Sequence, residues 1–395
     1  MTDWFTEMAR EVLNNFGSEL SLNLARDREQ IFQDFLRLEK GFNGDKLAFL
    51  DRGIKNSCYQ EQVPLYPERL TQTPEFGIPG TPNYPPVGEI PEIDEQGLDF
   101  LHPDIKHACI CLAGATSSGP FQSRWLGRNA LDKEQFWSAT KIIPILDILC
   151  QLEEPAEACQ VCEGEKSFNL AELIEDVITY EEKIGSSNAI AAMFKRFKTY
   201  HGLQNWVSEL TGNTHLEFRG LYGEEPLLEE PQLIKTAQVL LSAAPEVTKG
   251  ENLMTAYDMT RFMSMIGYHH HLPTVAKFPH LTTENLNPLV IALGLDSARY
   301  VDIALERLGI DQQIQAPVIL SKLGFGYSSS RRRTEIVYSC FTQFEFRSQR
   351  FSIALSLRGA KALGSGKFHQ EAVEIDARMA AEVTEILRRL VMGEL

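Results

Sequence analysis

The sequence runs to 395 residues, 43% hydrophobic and 23% charged, the composition of a globular chain long enough for a large core. Lys and Arg total 38 against 54 Asp and Glu, a net charge of -16. That negative field repels phosphate backbones, so nucleic acid is not an expected partner. No apolar run reaches the roughly 18 residues of a membrane helix, and the best stretch, 142–150, contains Pro144 and Asp147, so no membrane partner is expected either. The opening Met1-Thr2-Asp3-Trp4-Phe5 is not a basic stretch leading into an apolar one, and seven scattered cysteines suit reduced thiols. Both features predict a cytoplasmic protein.

In chain order, residues 1–60 read as a helical N-terminal extension. Trp4, Phe5, Met8, Val12, Leu13 and Phe16 recur at helical spacing before Gly17, and Ile31, Phe32, Phe35 and Leu38 mark a second amphipathic stretch. These faces are too apolar for a solvated tail, so the extension is expected to dock on the body or to join two copies in a homo-oligomer. Residues 61–99 form a Pro-rich connector, with eight prolines between Pro64 and Pro91. The main domain, 100–395, opens on a buried strand over 106–113. A helical region follows from about 133 to 310, then strands over 316–321, 334–346 and 350–358, and an amphipathic helix over 371–391. A strand, many helices, antiparallel strands and a last helix predict an α+β fold. Its antiparallel sheet is built from both ends of the domain, flanked by helices, beside an all-helical subdomain.

Three short motifs carry chemistry. Ser138 and Lys141, in Phe136-Trp137-Ser138-Ala139-Thr140-Lys141, share one face of a helix start, a geometry that suits a nucleophile and its base. The positive end of that helix favours developing negative charge on Ser138, and burial would let Lys141 give up its proton. Ser186-Ser187-Asn188 begins another helix 48 residues after Ser138, and Lys322-Leu323-Gly324-Phe325 follows a strand.

In that order, S-x-x-K, S-x-N and K-x-G resemble the serine β-lactamase and penicillin-binding-protein superfamily, class A enzymes in particular. The resemblance spans roughly 105–392. Met254-Thr255-Ala256-Tyr257-Asp258-Met259-Thr260-Arg261 is similar to the S/T-A-x-D-x-x-R helix start of class A, and Arg331-Arg332-Arg333 falls where the strand after K-[ST]-G carries its arginine. The resemblance implies that Ser138 is acylated and that Lys141 takes its proton. Ser186 relays a proton to the leaving group, Asn188 supports Lys141 and the substrate amide, and Lys322 adds positive charge. The Ser138 and Phe325 N–H groups, the latter just past Gly324, would form the oxyanion hole.

Two departures are expected to matter. Leu323 stands where the motif carries a hydroxyl, which predicts an apolar wall and poor β-lactam recognition, unless Arg331–Arg333 bind a substrate carboxylate instead. Class A also carries a deacylating glutamate between the second and third motifs; Glu224, 38 residues beyond Ser186, is the candidate, against a plain acidic surface loop with Glu229 and Glu230. Cys159 and Cys162 read as free thiols rather than a metal pair, and His269–His271 as a surface or interface run. The expectation is an intracellular serine hydrolase that acts through a Ser138 acyl-enzyme on a small-molecule ester or amide, without metal or organic cofactor. The alternatives are a glutaminase-like amidohydrolase and a non-catalytic β-lactamase-like scaffold that binds a partner.

Overall fold

The computed structural model describes residues 28–41, 53–74, 81–115, 119–244 and 250–395. The expected helix over residues 4–16 lies outside the described residues. The strands are β1 Ile93–Asp94, β2 Ile105–Ala115, β3 Phe121–Arg128, β4 Glu134–Gln135, β5 Gln160–Glu163, β6 Lys166–Asn169, β7 Glu217–Phe218, β8 Gln232–Lys235, β9 Gln238–Ser242, β10 Asn252–Met254, β11 Gln315–Ser328, β12 Arg333–Phe346 and β13 Gln349–Lys361. The helices are α1 Arg28–Gly41, α2 Tyr66–Arg69, α3 Ile142–Cys150, α4 Leu170–Thr179, α5 Ser187–Phe194, α6 Tyr200–Thr211, α7 Ala256–Gly267, α8 Thr283–Gly294, α9 Tyr300–Leu308 and α10 Phe368–Met392.

The fold is α+β. The main sheet has the order β1-β3-β2-β13-β12-β11, antiparallel except where β1 meets β3, so early and late parts of the chain lie side by side and β11 forms one edge. The two-residue period of the strands sorts side chains into two cores. Ile110, Leu112, Leu323, Ile353, Leu355 and Leu357 pack under α9 and α10, while Cys109, Cys111, Leu320 and Ala354 face α7 and the helical part of the chain. The buried stripe of α10 includes Ile375, Met379, Val383 and Ile386.

The stretch from 133 to 310 is not all helical. The four-stranded sheet β6-β5-β8-β9 and the three-stranded sheet β4-β10-β7 lie within it. The two hairpins of the four-stranded sheet turn on backbone that sequence period does not reveal: Gly164 has φ 59°, and Thr236 and Ala237 have φ 46° and 67°. Cys162 lies in β5 and Cys159 is buried beside it; among the described residues no cluster has the makings of a metal site. The histidine run is not a surface feature, because His269 is buried and His271 hydrogen-bonds the Leu70 carbonyl and stacks on Phe121.

Segments before the main sheet pack against it. Ile31, Phe32 and Phe35 of α1 join the core under α10, and the Arg378 guanidinium lies 3.7 Å from the Phe32 ring centroid. The Pro-rich chain is held by Arg261 of α7, which donates to the carbonyls of Pro85 and Pro86 and covers the Tyr84 ring. Arg261 is presented by a helix whose start is fixed by a Thr255–Asp258 capping box, with Asn213 as a further donor to Asp258. Among the described residues no helix is long and apolar enough to cross a membrane.

Candidate active site

Ser138 and Lys141 lie in a 3-10 turn, Trp137–Lys141, that runs into α3. Side chains at i and i+3 eclipse in such a turn, which brings these two to one side more closely than an α-helix does. Ser138 is not a cap; Phe136 occupies that position and makes no side-chain cap bond. Trp137 enters the turn at φ 50°, a left-handed conformation that is strained for a bulky residue. Its indole offsets the strain by donating to Glu335 Oε2 at 3.0 Å and covering Gly326 of β11. The turn sits directly on the strand: a Cβ on Gly324 would fall 2.7 Å from the Phe136 carbonyl oxygen and 2.9 Å from Trp137 Cβ. Glycine there lets the backbone carrying Ser138 approach the sheet edge.

Lys141 is buried, with its Nζ 2.9 Å from Ser187 Oγ and 2.7 Å from Asn188 Oδ1. Burial pulls its pKa down from 10.5 to about 7, and the Glu224 carboxylate partly opposes that fall. Ser186 is the N-cap of α5, accepting from the Asn188 and Ala189 N–H groups, and its own hydroxyl donates to Glu224 Oε2. Asn188 Nδ2 donates to Glu224 Oε1 at 2.8 Å. These two hydrogen bonds hold the Glu224 carboxyl below its ordinary range. Glu224 is therefore tied to the second motif rather than left on a bare acidic surface.

The third motif divides between the two faces of β11. Lys322, Gly324 and Gly326 face the 3-10 turn. Leu323 points the other way into the core under α10, so it does not wall the site as the sequence suggests. Its carbonyl faces outward from the sheet edge, accepting from Tyr180 at 2.8 Å. Two residues on, Phe325 presents its N–H at the same edge by strand alternation. Lys322 is fully buried and its Nζ reaches the Ile178 carbonyl at 3.2 Å, not Ser186. Burial drives its pKa well down, against the pull of Asp296. Two of the three arginines are already paired within the protein. Arg331 and Arg333 are committed to Glu335, whose pKa they and Arg358 bring down to about 2 against its burial, and Arg332 is exposed.

Three aromatic or basic residues outside the motifs complete the site. The Tyr180 phenol donates to the Leu323 carbonyl, and its ring lies 3.6 Å from Lys322 Nζ and 5.5 Å from Lys141 Nζ, measured to the centroid. Tyr222 bonds Thr140 and places its ring 5.6 Å from the Nζ atoms of both Lys141 and Lys195. Buried Lys195 donates to the Gly220 carbonyl and Asn252 Oδ1, fastening the segment that leads to Glu224. None of the three carries a motif signal; only the fold links Tyr180 and Tyr222 to Lys141, and Lys195 to Tyr222.

No family model matches the sequence, and no curated protein sequence matches it. Among solved structures, the chain is similar to a class A beta-lactamase from Mycobacterium abscessus, with 14% identity and a TM-score of 0.42 over 74% of this chain and 98% of that one. A class A beta-lactamase representative from Bacteroides cellulosilyticus has 12% identity and a TM-score of 0.44 over 74% and 96%. The chromosome-encoded beta-lactamase of Vibrio parahaemolyticus has 11% identity and a TM-score of 0.43 over 74% and 97%.

Proposed function

We propose that the chain is a serine hydrolase that forms an acyl-enzyme on Ser138 with an ester or amide substrate. The observation that carries this reading is the state of Lys141, a buried amine with a pKa of about 7 one 3-10 turn after a half-buried serine. A neutral amine has two N–H donors and one lone pair. The donors are used on Ser187 and Asn188, which leaves the lone pair for the Ser138 proton.

Attack joins Ser138 Oγ to the substrate carbonyl carbon, and Lys141 takes the hydroxyl proton. The N–H groups of Ser138 and Phe325 receive the oxyanion, the first on the turn and the second on the open strand edge beside Gly324. Glu224 then accepts a proton from the water that releases the acyl group, with Asn188 and Ser186 holding its carboxylate in place. The substrate is a small ester or amide of a soluble metabolite, and the free cysteines suit the reducing conditions of a cytoplasm. Turnover of a p-nitrophenyl acyl ester that is lost in the Ser138→Ala variant supports the proposal; equal turnover by both proteins rejects it.

A further inference from the structure

We propose that Lys195 is a positioning residue for deacylation, its buried amine holding the segment that carries Glu224 along α5 so that the carboxylate stands at the second motif. The inference rests on the Ser138 acyl-enzyme reading and adds to it a residue outside the three motifs.

Glu224 is exposed in irregular chain after β7, beside Gly223 at φ 86°. A glutamate in such chain takes its place from the contacts that flank it, and α5 supplies them at several levels. At the start of the helix, Ser186 and Asn188 donate to the carboxylate. Just inside it, the Ala189 carbonyl accepts from the Leu227 N–H at 3.0 Å. At its end, where α5 runs into the 3-10 turn Lys195–Phe197, Lys195 Nζ donates to the Phe218 and Gly220 carbonyls at 3.4 and 2.7 Å. The chain from 218 to 227 is therefore laid along one helix, with Lys195 gripping the end that leaves β7. Asn252 of β10 completes the grip. Its Oδ1 accepts from Lys195 at 2.8 Å while its Nδ2 donates to the Leu221 carbonyl at 3.2 Å. The carbonyls of 218, 220 and 221 are thus fixed just before Tyr222 meets Thr140 and Glu224 meets the second motif.

The chemistry of the grip marks it as more than packing. Lys195 is fully buried, its hydrogen bonds go to neutral oxygens, and the Phe218 ring centroid lies 3.8 Å from its Nζ. Taking an amine out of water without a carboxylate beside it is costly. An apolar side chain of similar volume would fill the space at less cost. What an apolar side chain cannot do is direct N–H donors at chosen carbonyls, and those carbonyls belong to the segment that ends at Glu224.

Lys195→Met keeps the length of the side chain and removes its donors. Acylation and deacylation are timed separately by intact mass with one p-nitrophenyl acyl ester. The variant is expected to slow deacylation about 10²-fold, the loss that a misplacement of about 1 Å brings, and to slow acylation far less. The same substitution made in Glu224→Gln separates positioning from general structure. If Lys195 acts through the carboxylate, deacylation falls no further there, whereas a general loosening of the fold slows both backgrounds alike. Asn252→Ala leaves the lysine in place and removes its partner; it is expected to show the same pattern, and it carries the test if Lys195→Met does not fold. Unchanged deacylation, equal losses in acylation and deacylation, or additive losses in the two backgrounds would overturn the proposal. A Ser138 that is never acylated in the unmodified protein rejects the acyl-enzyme reading itself, and a Glu224→Gln variant that deacylates at the unmodified rate rejects the role of the carboxylate. Either result takes this proposal with it.

Discussion

Lys141 Nζ lies 2.7 Å from Asn188 Oδ1, and through that single amide the buried amine is linked to the carboxylate of Glu224. The link couples the group proposed for acylation to the group proposed for deacylation. It also fixes the amide orientation, since one end must accept from the lysine while the other donates to the carboxylate.

Glu224→Gln separates the two steps. Acylation is retained and deacylation slows, so the acyl-enzyme accumulates, by about 10²–10⁴-fold if general-base help is lost entirely. The Glu224 charge raises the Lys141 pKa, so its removal lowers that pKa below about 7. The amine must be neutral to accept the Ser138 proton, so the acidic limb of the acylation profile moves to lower pH. A limb that stays in place, measured by single-turnover mass spectrometry, counts against the coupling.

Lys141→Met removes acylation and changes how stability depends on pH. The unfolded chain holds the lysine proton up to its ordinary 10.5, whereas the folded protein releases it at about 7. Stability from this group therefore rises as pH climbs from 7 towards 10.5, by about 1.4 kcal/mol per unit, and is flat below 7. The variant lacks that slope. Its stability relative to the unmodified protein should be greatest at pH 6 and fall by about 2–3 kcal/mol by pH 9. Urea titrations at the two pH values measure the difference, and no change between them would contradict a depressed lysine.

Much of the site was legible because the three motifs fall in order on the elements that their periods suggest. Ser138 with Lys141, Asn188 and Gly324 are drawn together by the fold as their spacing implies. Ser186 and Ser187 show the limit. Sequence singles out the first as the motif serine, yet the Lys141 bond goes to the second, because the cap geometry of α5 turns Ser186 towards Glu224. Leu323 was misread for a related reason: a strand motif names residue types but not which face each one takes. Tyr180 carries no pattern at all, since its position depends on a left-handed residue at the end of α4.

Leu323→Thr tests the facing of β11. The side chain is buried in the core under α10, so the substitution should destabilise the protein by about 1.5–3 kcal/mol. It should leave the preference among acyl substrates, including β-lactams, unchanged. A gain in β-lactam acylation would show that the side chain reaches the site.

Gly324→Ala tests the close approach of the turn. The added methyl meets the Phe136 carbonyl and Trp137 Cβ, so the turn must move off the strand. Overpacking of this kind costs about 1–3 kcal/mol. Acylation should fall by far more than stability, because Ser138 shifts relative to the Phe325 N–H. Equal acylation at equal stability would mean that the turn does not rest on the strand.

The central claim is that Ser138 is the nucleophile, and intact mass followed by peptide mapping after fluorophosphonate treatment tests it most directly. The account predicts one adduct per chain, located on Ser138 and absent from Ser138→Ala, with both proteins melting within a few degrees of each other because Ser138 is not a cap. An unmodified Ser138 in folded protein, or an adduct that persists at the same stoichiometry in the variant, would contradict it.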